Sequence, residues 1–176
     1  MDLKNLIKSY DGAFSSSFCD HLIQRYKQES LNTYPIKHQY GQGTYFDVPL
    51  SEEHDKIMKI FQEHVEHYKD DVPAAGCWPE EYGWETIRIK KFKANDTDGY
   101  KTHVDVWDHA SARRMIAFQV YLNTVDEGGR TLYNDVSIEP AQGRLIMFPP
   151  LWMYPHAGEA PKSNDKYILG SYLHYL

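Results

Sequence analysis

The front of the chain is patterned as helix. Phe18, Leu22 and Tyr26 recur every four residues, which puts them on one face of an α-helix. Ser17, with Asp20 three residues on, resembles a capping box at the start of that helix. Ile57, Phe61, Val65 and Tyr68 form a second apolar stripe with charged residues between them, predicting a helix over 51–70. The intervening stretch, 30–50, carries Pro35, Gly41, Gly43 and Pro49 among aromatics. It reads as loop with short extended pieces. After Pro79 the period changes. Thr86–Phe92 alternates as a strand, Ala94–Gly99 is a loop, and Arg114–Asn123 is an apolar run suited to a buried strand. Asp126–Gly129 is a tight turn by composition. Thr131–Tyr133, Arg144–Phe148 and Lys166–Tyr175 read as further strands. Short strands separated by turn signals predict a mainly β sandwich or barrel, with the helices covering one face. The expected organisation is one domain over 1–176, with helical support and a substrate-side segment in 1–80 and the β core in 81–176.

Composition narrows the class. The chain has 176 residues, enough to bury a real core. Its 19 Lys and Arg against 25 Asp and Glu give a net charge of −6. That balance argues against sequence-independent nucleic-acid binding and against an anionic membrane surface, both of which need clustered cations. Cys19 and Cys77 form neither a C-x-x-C pair nor a disulfide framework, which suits a reducing compartment. The opening MDLKNLIKSYDG lacks a long apolar segment, and no run approaches the roughly 18 apolar residues of a membrane span. A cytoplasmic protein is expected. Nothing in the pattern specifies an oligomeric state.

The candidate chemistry sits in the β half. His103 and Asp105 are two residues apart, so in an extended segment they point to the same side. His156, in Tyr154-Pro-His156-Ala-Gly158, is the candidate third ligand from another β segment. Two imidazoles and one carboxylate leave positions open for substrate and O2, which is the facial triad of non-haem Fe(II) oxygenases. In a chain with nine His, H-x-D alone carries little weight. Lys166 adds to it, ten residues after His156 at the start of the last strand. A lysine in a barrel mouth is costly unless an anion pairs with it, and a dicarboxylate cosubstrate would supply one. An exposed strand-edge lysine is the competing explanation.

Residues from about 85 to 175 resemble the 2-oxoglutarate/Fe(II) dioxygenases of the prolyl 4-hydroxylase type. The matching pieces run in order: Tyr100-x-x-His103-x-Asp105; Arg114 seven residues before Tyr121-Leu-Asn123; Gly128-Gly129-Arg-Thr131; Pro140-x-x-Gly143 through Phe148; and Pro155-His156-x-Gly158 with Lys166-Tyr167. Tyr10-Asp11-x-x-Phe14 followed by Phe18-Cys19-Asp20 is similar to the family's opening. The resemblance implies a double-stranded β-helix, or jelly-roll barrel, with N-terminal helices. It implies that His103, Asp105 and His156 bind Fe(II) and act in catalysis. Lys166 would pair with the far carboxylate of 2-oxoglutarate, and Tyr121 would add a hydroxyl to it. Tyr100 and Arg114 would lie at or near the cosubstrate. Gly128, Gly129 and Thr131 would be structural. O2 is the co-reactant and ascorbate an accessory.

Two positions depart from the family pattern. Phe92 stands where a Tyr often helps hold the cosubstrate, and Gly170 where a hydroxyl residue often follows the basic one. Trp107, Trp152 and Arg130 are candidates for substrate contact, against core packing for the tryptophans and an exposed turn for the arginine. Tyr45–Asp47 is a candidate flank of the substrate groove. His109 is a candidate for the entrance, and His64 and His67 for a solvated helix face. The implied substrate is a prolyl residue in a peptide or protein. Alternatives are a free amino acid or other small metabolite, a non-catalytic jelly-roll binding module, and a Zn-dependent hydrolase, since fold alone does not fix function.

Overall fold

The computed structural model describes residues 2–36 and 39–176. Thirteen strands and two α-helices follow one another along these residues. Strand β1 is Lys8–Tyr10, then comes α1 (Ser16–Gln28) and the short β2 (Tyr34–Pro35), β3 (Gly41–Gln42) and β4 (Thr44–Asp47). Helix α2 is Glu52–Asp71, followed by β5 (Gly83–Trp84), β6 (Arg88–Phe92), β7 (Gly99–His103) and β8 (Arg114–Tyr121). The chain closes with β9 (Thr131–Tyr133), β10 (Ser137–Ile138), β11 (Leu145–Phe148), β12 (His156–Gly158) and β13 (Lys166–His174).

The strands form two antiparallel sheets. The larger has the order β1-β11-β8-β13-β6-β4-β2, with β5 also paired to β13; the smaller is β10-β9-β12-β7-β3. This is the expected jelly roll, as two facing sheets whose ladders do not close into a continuous barrel among the described residues.

Strand alternation divides the core in two. On β8, Ile116, Phe118 and Val120 pack with α1 and α2, alongside Leu169 and Leu173 of β13 and Ile89 of β6. The opposite faces of the same strands, with Ala117, Tyr121, Ile168 and Phe92, join Phe148, Tyr154 and Ile138 between the sheets. The helical stripes land as predicted. Phe61 is fully buried, 4.9 Å from the Phe118 ring and 5.8 Å from Trp84. Helix α2 matches the predicted 51–70 within a residue, and its N-cap is Ser51, whose hydroxyl accepts from the His54 N–H. Ser51→Ala should lower stability by about 1 kcal/mol, the usual value of such a cap. A thermal melt of the variant checks this, and an unchanged midpoint would leave the cap without energetic weight.

Two expectations need correction. The cap of α1 is Ser15, not Ser17: Ser15 is extended and its hydroxyl accepts from the Phe18 N–H. Ser17 is already inside the helix, two residues too late to meet an orphan first-turn donor. His64 is buried rather than solvated, its Nδ1 2.8 Å from the Ile60 carbonyl and its ring edge-on to Tyr10. His67 is exposed, as expected. No helix among the described residues is long and apolar enough to cross a membrane.

Candidate metal centre

The three predicted ligands converge. His103 ends β7 and His156 begins β12, and the two are directly paired across the antiparallel ladder. Paired residues present their side chains to the same face, and the imidazole rings are 4.5 Å apart. Asp105 follows two residues past His103. Its carboxylate oxygens lie 3.4 Å from His103 Nε2 and 3.6 Å from His156 Nε2. One ligand atom from each residue lies within 4.8 Å of the others.

Each imidazole is set by a backbone carbonyl. His103 Nδ1 is 2.8 Å from the Lys101 carbonyl and His156 Nδ1 is 3.0 Å from that of Tyr154. With Nδ1 donating, the Nε2 lone pair is left for a cation. The electrostatics agree. Burial lowers the pKa of His156 below that of an ordinary imidazole, which favours the neutral ligand form. Burial raises the Asp105 carboxyl, but the His103 hydrogen bond and its positively charged surroundings, Lys90 among them, outweigh it and hold Asp105 well below the usual carboxylate range. An ionised carboxylate and two imidazoles that turn Nε2 toward it make a donor set that fits a divalent iron with open positions.

The triad opens onto a cavity of about 390 Å³ between the sheets. Strand alternation selects its walls. From β6 come Arg88, Lys90 and Phe92, from β8 Ala117 and Gln119, and from β13 Lys166, Ile168, Gly170 and Tyr172. Lys166 is only 3% exposed. Its Nζ donates to the carbonyls of Gly129 (2.9 Å) and Glu159 (3.1 Å) and lies 5.1 Å from the Phe92 ring centroid. Gly128 and Gly129 have φ of 74° and 76°, a left-handed turn that suits glycine, and that turn presents the Gly129 carbonyl to Lys166. No carboxylate pairs with the Lys166 ammonium among the described residues, and burial pushes its pKa down to about 8. The edge-lysine explanation does not fit a buried cation in a cavity wall.

The other predicted residues distribute unevenly. Tyr100 lines the cavity and stacks on His103, with ring centroids 5.0 Å apart. Arg114 lines it too, but its guanidinium is held bidentately by Glu85 (2.7 and 2.9 Å) and donates to the Asp105 carbonyl at 2.8 Å. Tyr121 lies outside the lining. Its hydroxyl is 2.5 Å from Thr131 Oγ1 and 3.2 Å from the Ile138 carbonyl, so Thr131 is the hydroxyl that faces the cavity. Trp107 borders the mouth, 56% exposed. Trp152, 77% exposed, and His109 lie outside the lining. Arg130 is paired with Glu159 at 2.8 Å, also outside it. Tyr45 faces the cavity whereas Phe46 is buried against the helical side. Phe92 is buried and offers Lys166 its ring in place of a hydroxyl. A side chain at Gly170 would come within 3.0 Å of the Phe118 carbonyl, and Ser171, also in the lining, commits its hydroxyl to the Glu85 carbonyl.

Sequence reading missed Lys90, Arg88, Gln119, Thr131 and Tyr172 in the cavity, and Glu85 behind Arg114. The period-2 alternation of β6, β8 and β13 could have found the strand residues. Glu85 carried no signal, because its partner lies 29 residues away. Arg114→Met should release the loop that carries Asp105 and weaken Fe(II) binding roughly 10- to 100-fold, the usual range for groups that orient a ligand. A metal titration reads this directly, and wild-type affinity would show that the loop holds itself.

Residues 88–174 match the family model of the 2OG-Fe(II) oxygenase superfamily. That segment contains the triad and Lys166, and it is similar to the superfamily over just under half of the chain. Among solved structures it is similar to the viral collagen prolyl hydroxylase of Paramecium bursaria Chlorella virus-1 in its 2OG complex, at 26% identity and a TM-score of 0.76 over 97% of each chain. The Pseudomonas putida prolyl-4-hydroxylase shares the fold at 14% identity and a TM-score of 0.75, over 97% of this chain and 93% of that one. So does a Trichoplax adhaerens prolyl hydroxylase in complex with a hypoxia inducible factor peptide fragment, at 15% identity and 0.74, over 97% and 84%. No curated protein sequence matches the chain.

Proposed function

We propose that the protein is an Fe(II)- and 2-oxoglutarate-dependent dioxygenase that hydroxylates a prolyl residue of a peptide or protein. The observation that carries this is the placement of two imidazoles and a carboxylate within 4.8 Å of one another, in a cavity whose wall also holds the buried ammonium of Lys166. His103, Asp105 and His156 hold Fe(II). Lys166 takes the remote carboxylate of 2-oxoglutarate, with Thr131 in the same cavity and Tyr121 behind it. Bound together, iron and cosubstrate supply the O2-dependent oxidation that places a hydroxyl on a C–H bond, with succinate and CO2 as coproducts. The protein's own part is orientation and shielding. The Lys101 and Tyr154 carbonyls fix the imidazole tautomers, Arg114 holds the Asp105 backbone, and the sheet-to-sheet apolar core excludes water from one side. The prolyl target rests on the viral collagen prolyl hydroxylase, which is similar over nearly all of both chains.

The test is succinate formation by the purified protein with Fe(II), ascorbate and 2-oxoglutarate, with and without proline-containing peptides. Succinate that rises with one peptide, with hydroxylation located on its proline, is the expected result. Succinate that no peptide stimulates would remove the prolyl target and point to a small metabolite.

A further inference from the structure

The cavity carries more positive charge than its own acidic groups answer. Four cationic side chains line it: Arg88, Lys90, Arg114 and Lys166. Arg88 is paired with Asp47 at 2.7 Å and Arg114 with Glu85 at 2.7 Å. Lys166 is the cation assigned above to the cosubstrate. Lys90 is the one left over. It is half-buried on β6, and its ammonium sits 5.3 Å from the Tyr100 ring centroid, the ring that stacks on His103. It is near enough to Asp105 to help hold that carboxyl low. Among the described residues it has no hydrogen bond and no ion pair. A cation partly removed from water beside a metal site is costly until an anion meets it.

The ladder fixes where that anion would sit. Phe92 of β6 is paired with Lys166, Lys90 with Ile168, and Arg88 with Gly170. Lys90 is therefore one same-face row along the strand from the Lys166 row, about 7 Å. It lies toward Arg88, away from the end of β13 that holds Lys166. Charge counting points the same way. Lys90, Lys166 and a divalent iron, set against the Asp105 carboxylate, leave three positive charges. The dianion 2-oxoglutarate answers two of them. One remains, on the side of Lys90.

We propose that Lys90 is a specificity residue of this cavity: it takes a carboxylate of the substrate to be hydroxylated and holds it beside the metal position. This rests on the functional reading above. The carboxylate has two sources in a prolyl substrate, an acidic side chain next to the proline or a free chain terminus, which includes the free amino acid. A neutral peptide segment would leave Lys90 unanswered.

The experiment uses acetate as the probe. Protein loaded anaerobically with Mn(II) in place of Fe(II), and saturated with 2-oxoglutarate, is titrated with acetate while the relaxation of its methyl protons is followed by NMR. Acetate held at Lys90 lies near the paramagnetic ion. The expected result is an enhancement in the wild type that falls at least threefold in Lys90→Met and is kept by Lys90→Arg. An enhancement that persists in Lys90→Met would show acetate reaching the metal without Lys90 and would overturn the proposal. So would a more than tenfold loss of 2-oxoglutarate affinity in Lys90→Met, which would assign Lys90 to the cosubstrate. Matched prolyl peptides then separate the sources, Glu against Gln beside the proline and free against amidated C-termini, with the charged member of one pair expected to bind at least tenfold tighter. Equal binding within both pairs would overturn the proposal while leaving the prolyl target standing. An acetate effect that depends on Lys90, with hydroxylation of no prolyl peptide, would keep the role of Lys90 and remove the prolyl target.

Discussion

Alanine at His103, Asp105 or His156, one position at a time, is expected to weaken Fe(II) binding by on the order of 100-fold or more and to abolish succinate formation. The bound is set by groups behind a ligand, whose loss alone costs 10- to 100-fold; loss of a ligand itself exceeds that. The three positions are not equivalent in their side effects. Asp105 is the anion between two imidazoles, with Nε2 atoms 3.4 and 3.6 Å from its oxygens. Its removal also takes away the charge that answers a bound cation. His156 is buried and packs on the Phe148 and Tyr133 rings at 4.9 and 5.7 Å, so its truncation leaves a hole as well. The readouts are a metal titration, succinate formation and a melt that shows each variant folded. A folded variant with full activity at any of the three would sink the assignment of that residue.

Lys166→Met is expected to do two opposite things. It should weaken 2-oxoglutarate roughly 100- to 5,000-fold, because removing one partner of a buried ion pair costs about 3–5 kcal/mol. It should also stabilise the protein without cosubstrate. Burial lowers the Lys166 pKa from 10.5 to about 8 in the folded chain. Between those values the unfolded chain holds a proton that the folded one has lost, so stability rises with pH through that window. Below about pH 8 the full cost of burying the charge is felt, about 3 kcal/mol. Methionine fills similar volume without that cost. The melting temperature at pH 7 should therefore rise while cosubstrate affinity falls. The wild type should bind 2-oxoglutarate best below about pH 8 and lose up to about tenfold per pH unit above it. Lys166→Arg, which stays charged, should lack that decline. Calorimetric titration across pH 7–10 reads the wild type and both variants. Wild-type affinity in Lys166→Met, or a flat wild-type profile, would remove Lys166 from the cosubstrate site.

What the chain alone settled is local. The four-residue spacing of Phe18, Leu22 and Tyr26, and the stripe from Ile57 to Tyr68, define the helices. Alternation marks the long strands, because side chains on a strand must face opposite sides. His103 and Asp105 share a side for the same reason, and the ordered motif pieces named the superfamily before any coordinate. The tertiary structure decided whatever depends on register and on distant partners. It set His156 opposite His103 and gave Arg114 to Glu85 and the Asp105 carbonyl. It also turned the Tyr121 hydroxyl onto Thr131 and left Lys90 facing the cavity with no hydrogen bond or ion pair among the described residues. Ladder register is fixed by packing of whole faces across the molecule, and no short window of sequence contains that information.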